Sequence, residues 1–329
     1  MKKKLSLVLI VVLLLATVFT GCGDGNSGTT TDDGVTKLNV ATGGTSGTYY
    51  GFCGIIAQTF NDKLKDVLSV NVESTGASQA NLQLLQAGEN NMAIVQNDVM
   101  SYAYTGTDLW SASGASAYTD FSAVMACYPE TIQIIANKDI TSVEELKGKK
   151  VSVGDAGSGV EFNAKQILAA YGMDIEKDIK KNNQGFADSA DSLKNGTIDA
   201  AFVVAGAPTV AVTELAATYD FNVLEIDAEH AAALMEEYDF YTTLTIPAGT
   251  YGPQKEDVDT VAVMATLVVR NDVPEDVIYA FVKGMFDYKD TIAQGHEKGE
   301  LIDLETAVSG INIPFHKGAE KYFKEQGVL

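Results

Sequence analysis

Three times along this 329-residue chain, a short β-rich run ends in Gly, Ser and Thr residues that open a helical pattern. Leu38-Asn39-Val40 leads into Gly43-Gly44-Thr45-Ser46-Gly47-Thr48, after which Phe52, Ile55, Ile56 and Phe60 fall on one helical face. Val70 and Val72 lead into Ser74-Thr75-Gly76-Ala77-Ser78 and a helix bearing Leu82 and Leu85. Val151-Ser152-Val153 leads into Gly154 to Gly159 and a helix from Phe162 to Tyr171 with Ile167 and Leu168 inward. Short strands alternating with helices predict an α/β fold.

Further runs complete two sets of such units. Met92 to Gln96 reads as a strand whose end, Asn97-Asp98, opens the next helix. Asp199 to Val204 reads as another strand, broken at Gly206-Ala207-Pro208, and Val261 to Val269 as a long apolar strand that returns late. Removing residues 1–21 leaves 308 residues, more than one core usually supports. The expectation is two lobes joined by segments crossing near Val124 to Ala136 and near Tyr251 to Arg270. Residues 35–130 would form lobe 1, with 261–329 returning to it, and residues 131–260 would form lobe 2. This is the plan of a two-lobed, hinge-closing binding protein.

The N-terminus addresses the chain outward. Lys2 to Lys4, an apolar run from Leu5 to Thr20 and Gly21-Cys22 have the layout of a lipoprotein export signal. The apolar run is shorter than the roughly 20 residues of a membrane span. Cleavage after residue 21 and lipidation of Cys22 would hold the protein to the outer face of a membrane, or in a periplasm. Phe19 stands where such signals usually carry Leu, and an uncleaved N-terminal anchor is the alternative. Residues 22–34, with no apolar residue after Cys22, read as a flexible tether.

Loss of the first 21 residues removes three positive and no negative charges, taking the formal charge from −21 to −24. So acidic a surface excludes nucleic acid, which needs a basic footprint. Arg270 is the only arginine, so the usual bidentate carboxylate clamp is nearly unavailable, and Arg270 itself reads as an ion-pair partner. Cys53 and Cys127 read as two buried thiols, the second at a strand end, with a single disulfide possible. His230, His296 and His316 have no partner at ligand spacing, so neither a metal nor another cofactor is expected.

The three Gly/Ser/Thr loops are the candidate site. Helix N-termini expose free N–H groups and partial positive charge, and in open α/β sheets they gather at the carboxyl ends of strands. The candidate ligand contacts are Thr45, Ser46, Thr48, Tyr49, Thr75, Ser78, Asn97 and Asp98 from the first lobe. Gly157, Ser158, Gly159, Gly206 and Ala207 are those of the second. Each has a plainer account as a helix cap or packing residue; Ser158-x-x-Glu161 has the form of a capping box. Asp98 or Glu161, if facing the cleft, would suit a ligand ammonium. No dinucleotide fingerprint, P-loop or nucleophile elbow is present, so no catalytic residue is assigned.

ATGGTSGTYYGFCGIIAQ (Ala41 to Gln58), STGASQANLQLLQAGENNMAIVQNDV (Ser74 to Val99), GKKVSVGDAGSGVEFNAKQIL (Gly148 to Leu168) and GTIDAAFVVAGAPTVAV (Gly196 to Val212) resemble the TAXI family. So does the ending IPFHKGAEKYFKEQGV (Ile313 to Val328). These are the extracytoplasmic solute-binding subunits of TRAP transporters. The resemblance implies a two-lobed periplasmic-binding-protein fold of type II. It implies closure on a small carboxylate or amino acid (dicarboxylate, 2-oxoacid or glutamate-like) and delivery to an ion-gradient-driven TRAP permease. A sensor or antigenic surface lipoprotein without transport, and a secreted hydrolase, are the other readings.

Overall fold

A computed structural model describes residues 34–329. The export signal, Cys22 and the tether up to residue 33 lie outside them. The described chain runs β1 (Thr36–Ala41), α1 (Thr48–Lys63), β2 (Leu68–Glu73), α2 (Ser78–Ala87), β3 (Met92–Gln96), α3 (Asn97–Thr105), α4 (Asp108–Ala112) and β4 (Phe121–Ala136). It continues through β5 (Lys150–Ser152), α5 (Gly159–Ala170), β6 (Lys180–Asn182), α6 (Phe186–Lys194), β7 (Ala200–Ala205), α7 (Val210–Ala216), β8 (Asn222–Leu224), α8 (Ala228–Glu237) and β9 (Thr242–Ile246). β10 (Val258–Arg270), α9 (Glu275–Asp287), α10 (Lys289–Gly295), α11 (Leu304–Val308) and α12 (Lys317–Gln326) complete it.

The α/β pattern is borne out as a mixed sheet in the order β2-β1-β3-β10-β4-β7-β5-β6, with β8 and β9 at its sides. β1, β2 and β3 are parallel, as are β5, β6 and β7. The two long antiparallel strands between these groups make the sheet continuous. The first half of β4 pairs with β10 beside β3, while its second half, Thr131 to Ala136, pairs with β7. β4 and β10 therefore belong to both halves, as crossing segments of a two-lobed fold must.

Sixteen residues of nearly unbroken burial make β4 a strand that both faces can cover. Its irregularities sit where it crosses. Between the pairs Ala265↔Tyr128 and Thr266↔Ala126 the register slips, so Cys127 is a bulge residue inside the strand, not at a strand end as the sequence suggested. Two residues on, Pro129 lies opposite Met264 with no N–H to offer the ladder. On the other edge of β10 the Met264 N–H donates to Asn97 Oδ1 (3.0 Å), and Asn97 Nδ2 donates to the Gly310 carbonyl (3.2 Å). Asn97 thus continues β3 by one rung with its side chain.

Each half has its own apolar core. One joins Leu38, Phe52, Ile56 and Phe60 to Val277, Phe281 and Phe323 of the late helices. The other joins Ile134, Val151, Ile167, Leu168 and Phe202. Cys53 and Cys127 are both buried as free thiols in the first core, where burial pushes the Cys53 thiol up to about 12.

Candidate functional site

The sheet order sets the carboxyl ends of β1 and β3 opposite that of β5, and the loops leaving those strands face one another. Between them lies a cavity of about 60 Å³. At roughly 10–15 Å³ for each water centre, this holds on the order of four to six waters, the bulk of a small organic acid.

Four helices begin at this cavity. From one lobe come α1, with Gly43, Gly44, Ser46, Gly47, Thr48 and Tyr49, and α2, with Ala77 and Ser78. From the other come α5, with Ser158, Gly159 and Val160, and α6, with Gly185 and Phe186. The N-caps of α1, α2 and α6 are Gly47, Ala77 and Gly185, none with a capping side-chain hydrogen bond. Their first N–H groups are left for whatever occupies the cavity. Ala77 is held at φ 69°, ψ −150°, a region that costs a non-glycine residue about 1–3 kcal/mol. That strain sits where the chain turns from Thr75 into α2 against the cavity wall.

Ser158 combines both roles suggested for it. It lines the cavity, and its Oγ accepts from the Glu161 N–H at 3.4 Å as the N-cap of α5. Glu161 reaches back, but to the Gly157 N–H (2.7 Å) rather than to that of Ser158. Its other oxygen meets Lys181 at 3.3 Å, so its carboxylate is engaged outside the cavity.

Of the sequence candidates, Ser46, Thr48, Tyr49, Ser78, Ser158 and Gly159 line the cavity. Thr45 is exposed and outside it. Thr75 is turned inward, its Oγ1 on the Thr42 carbonyl (3.0 Å) and on Asn81 Oδ1. Asn97 serves the crossing strands, and Asp98 is buried against Asn163, so neither reaches the cavity. Gly157, Gly206 and Ala207 do not line it: the Gly157 N–H is taken by Glu161, and the other two make contacts between lobes. The Gly206 carbonyl accepts from Thr48 Oγ1 (3.1 Å), and the Ala207 carbonyl accepts from Lys298 Nζ (2.5 Å).

Glycines make several of these contacts possible. A methyl group on Gly157 would lie 2.9 Å from Gln79 Oε1, one on Gly159 1.8 Å from Gln96 Oε1, and one on Gly206 2.5 Å from Lys298 Cε. Phe186 packs on Gly47 from the opposite side, and the Ser46 carbonyl accepts from the Ala211 N–H at 3.3 Å. The lobes are closed on each other.

Several cavity residues escaped the sequence reading, three of them with polar side chains: Glu130, Gln96 and Asp155, whose carboxyl burial pushes up with Asp188 adding. Glu130, 2% exposed, accepts from the Tyr49 hydroxyl at 2.7 Å. Burial pushes its carboxyl well above the usual carboxylate range, Tyr49 opposes this, and Asp98 adds to it. Gln96, also 2% exposed, ends β3 with its Oε1 unpartnered among the described residues. The signal for Glu130 was present: it is the sole charged residue of FSAVMACYPETIQIIA, Phe121 to Ala136. No lysine, arginine or histidine lines the cavity among the described residues. Arg270 pairs at the surface with Asp272 at 3.0 and 2.6 Å. The site therefore offers backbone N–H groups and hydroxyls to an anion, with two carboxyls, the buried Glu130 and Asp155 at the loop before α5, and one orphan amide oxygen beside them.

The model of the NMT1-like family matches residues 40–327, nearly all of the described chain. The chain belongs to the NMT1-like family. Among solved structures, this NMT1-like protein is similar to a periplasmic transporter at 15% identity, covering 88% of this chain and 92% of that one, with a TM-score of 0.52. It is likewise similar to a protein from Bordetella bronchiseptica RB50 at 15% identity, covering 89% of each chain, with a TM-score of 0.51. A TRAP periplasmic solute-binding protein from Anaerococcus prevotii, solved with bound glucuronate, aligns at 15% identity over 88% of this chain and 89% of that one, with a TM-score of 0.44. The likeness to the periplasmic transporter bears out the periplasmic-binding-protein fold expected from the sequence.

Proposed function

We propose that this NMT1-like protein is an extracytoplasmic solute-binding protein of the TAXI type. It would close on a small carboxylate, with a glutamate-like amino acid as the preferred class, and deliver it to a TRAP permease. The observation that carries this reading is the meeting of four helix N-termini, three of them uncapped, around a cavity that also holds Glu130. Helix N-termini hold a carboxylate through N–H groups and partial positive charge, and need no arginine. An α-ammonium then suits Glu130 and the orphan Gln96 oxygen, since a buried carboxylate without a cation is unfavourable.

A binding role fits better than hydrolysis, because Ser158 Oγ is engaged as a cap and no histidine or lysine lines the cavity among the described residues. The lipid anchor at Cys22, and a location outside the cytoplasm, rest on the N-terminal sequence. Transport rather than sensing rests on the TAXI resemblance.

The raised pKa of Glu130 supports one second reading: a neutral Glu130 that donates to a dicarboxylate or 2-oxoacid. Calorimetry on wild type and Glu130→Gln separates the two. An amino-acid ligand should lose roughly tenfold or more with the variant, the cost of leaving a buried ammonium without its counter-charge. A dicarboxylate should bind the variant nearly as well as wild type. Binding only of sugars or metal ions would overturn the carboxylate reading altogether.

A further inference from the structure

One face of α5 carries Gly159, Asn163 and Gln166, spaced i, i+4 and i+7. Gly159 looks into the cavity; the other two meet the opposite lobe behind it. Asn163 Nδ2 donates to Asp98 Oδ2 (2.9 Å) and to the Tyr241 hydroxyl (2.8 Å). Tyr241 donates to Gln166 Oε1 (2.6 Å), and Gln166 Nε2 donates to the Tyr102 hydroxyl (2.8 Å). Two of these bonds, to Asp98 and to Tyr102, join α5 to α3 across the lobes. The surroundings are dry: Asp98 and Asn163 are 0% exposed, and Tyr102 stacks on Phe162 at 5.9 Å.

Among the described residues no cation faces Asp98. Its Oδ1 accepts from the Val99 N–H at 2.8 Å. The titratable groups that face it are Tyr102 on its own helix, Asp108 on α4, Glu130 on β4, and Tyr241 from the segment before β9. All are acidic or phenolic, and α5 supplies only amides. Opening the lobes would remove α5 from Asp98 and admit water.

We propose that the burial of Asp98 under α5 makes lobe closure proton-linked: the lobes close with Asp98 protonated and loosen when it ionises. Burial raises this carboxyl from its ordinary 3.8 to about 7 in the closed form, with Val99 and Asn163 opposing and Asp108 adding. A pKa raised in the closed form means that this form holds the extra proton between those two values. Closure is then favoured at low pH, weakens by up to about tenfold per unit as pH rises through that window, and levels off above it. This linkage is separate from the ligand contacts and does not depend on which solute the cavity takes.

The test needs no ligand. Small-angle scattering on the ligand-free protein should show a larger radius of gyration at pH 7.5 than at pH 5.5. Asp98→Asn, which keeps an acceptor for Asn163 without a titrating proton, should remove that difference. Should Asp98→Asn not fold, carbon NMR of aspartate carboxyls in the wild-type protein should show one titrating near 7 rather than near 4. The proposal fails if Asp98→Asn expands with pH as wild type does, or if every aspartate titrates below about 5.

Discussion

Gly159→Ala places a methyl group where the far lobe already stands. The added carbon would lie 1.8 Å from Gln96 Oε1, 2.4 Å from its Cδ and 3.0 Å from its Nε2. Gln96 is a flexible residue but not a free one, being buried at 2% exposure between Ser78, which accepts from its N–H at 3.1 Å, and the cavity. Either Gln96 changes rotamer into the ligand space or the lobes stop short of full closure. Overpacking of this kind costs about 1–3 kcal/mol. That corresponds to about a 5- to 150-fold loss of affinity, since each 1.4 kcal/mol is tenfold. The same substitution helps α5, though by less than the roughly 0.5–1 kcal/mol of a helix interior because Gly159 is its first residue. The two effects have opposite signs, so calorimetric affinity and ligand-free melting temperature, measured on one sample, test the reasoning together. Affinity should fall while the melting temperature holds or rises. Unchanged affinity would mean that Gly159 and Gln96 do not meet in the bound form, and a fall in melting temperature alone would reduce Gly159 to a packing residue.

Three further perturbations address other parts of the fold. Ser46→Ala and Ser158→Ala should each weaken binding by about 1–3 kcal/mol, while only Ser158→Ala should also lower stability, by about 1 kcal/mol, as a lost cap; a melting-point change in Ser158→Ala with affinity intact would assign it to capping alone. Asn97→Ala unpairs the Met264 N–H and the Gly310 carbonyl and should lower unfolding free energy by about 1–3 kcal/mol in a denaturant titration; lost affinity at full stability would instead make Asn97 a ligand contact. Cys22→Ala should release unlipidated protein or leave the precursor uncleaved, and processing and fractionation like wild type would refute the anchor.

What was legible in the sequence was whatever neighbouring residues decide among themselves. Strand, Gly/Ser/Thr loop and helix follow one another within about a dozen residues, so the α/β class and the helix N-termini at Ser46, Ser78 and Ser158 could be read directly. Ser158 as a cap of Glu161 is a contact three residues long. The direction each loop residue takes is another matter. Thr75, Asn97 and Asp98 looked as eligible as Ser46, yet the first braces Thr42, the second extends β3 to meet Met264 of β10, and the third meets Asn163 from the other lobe. Each of those partners is at least 30 residues away. Glu130 and Gln96 entered the site because β4 and β10 lie between the parallel strand groups, bringing Glu130 to Tyr49 across 81 residues of chain. Local pattern sets where a helix begins, because its N–H groups and caps are neighbours in sequence. Which buried carboxyl faces that helix is set by strand order and lobe closure, and only the assembled sheet contains that information.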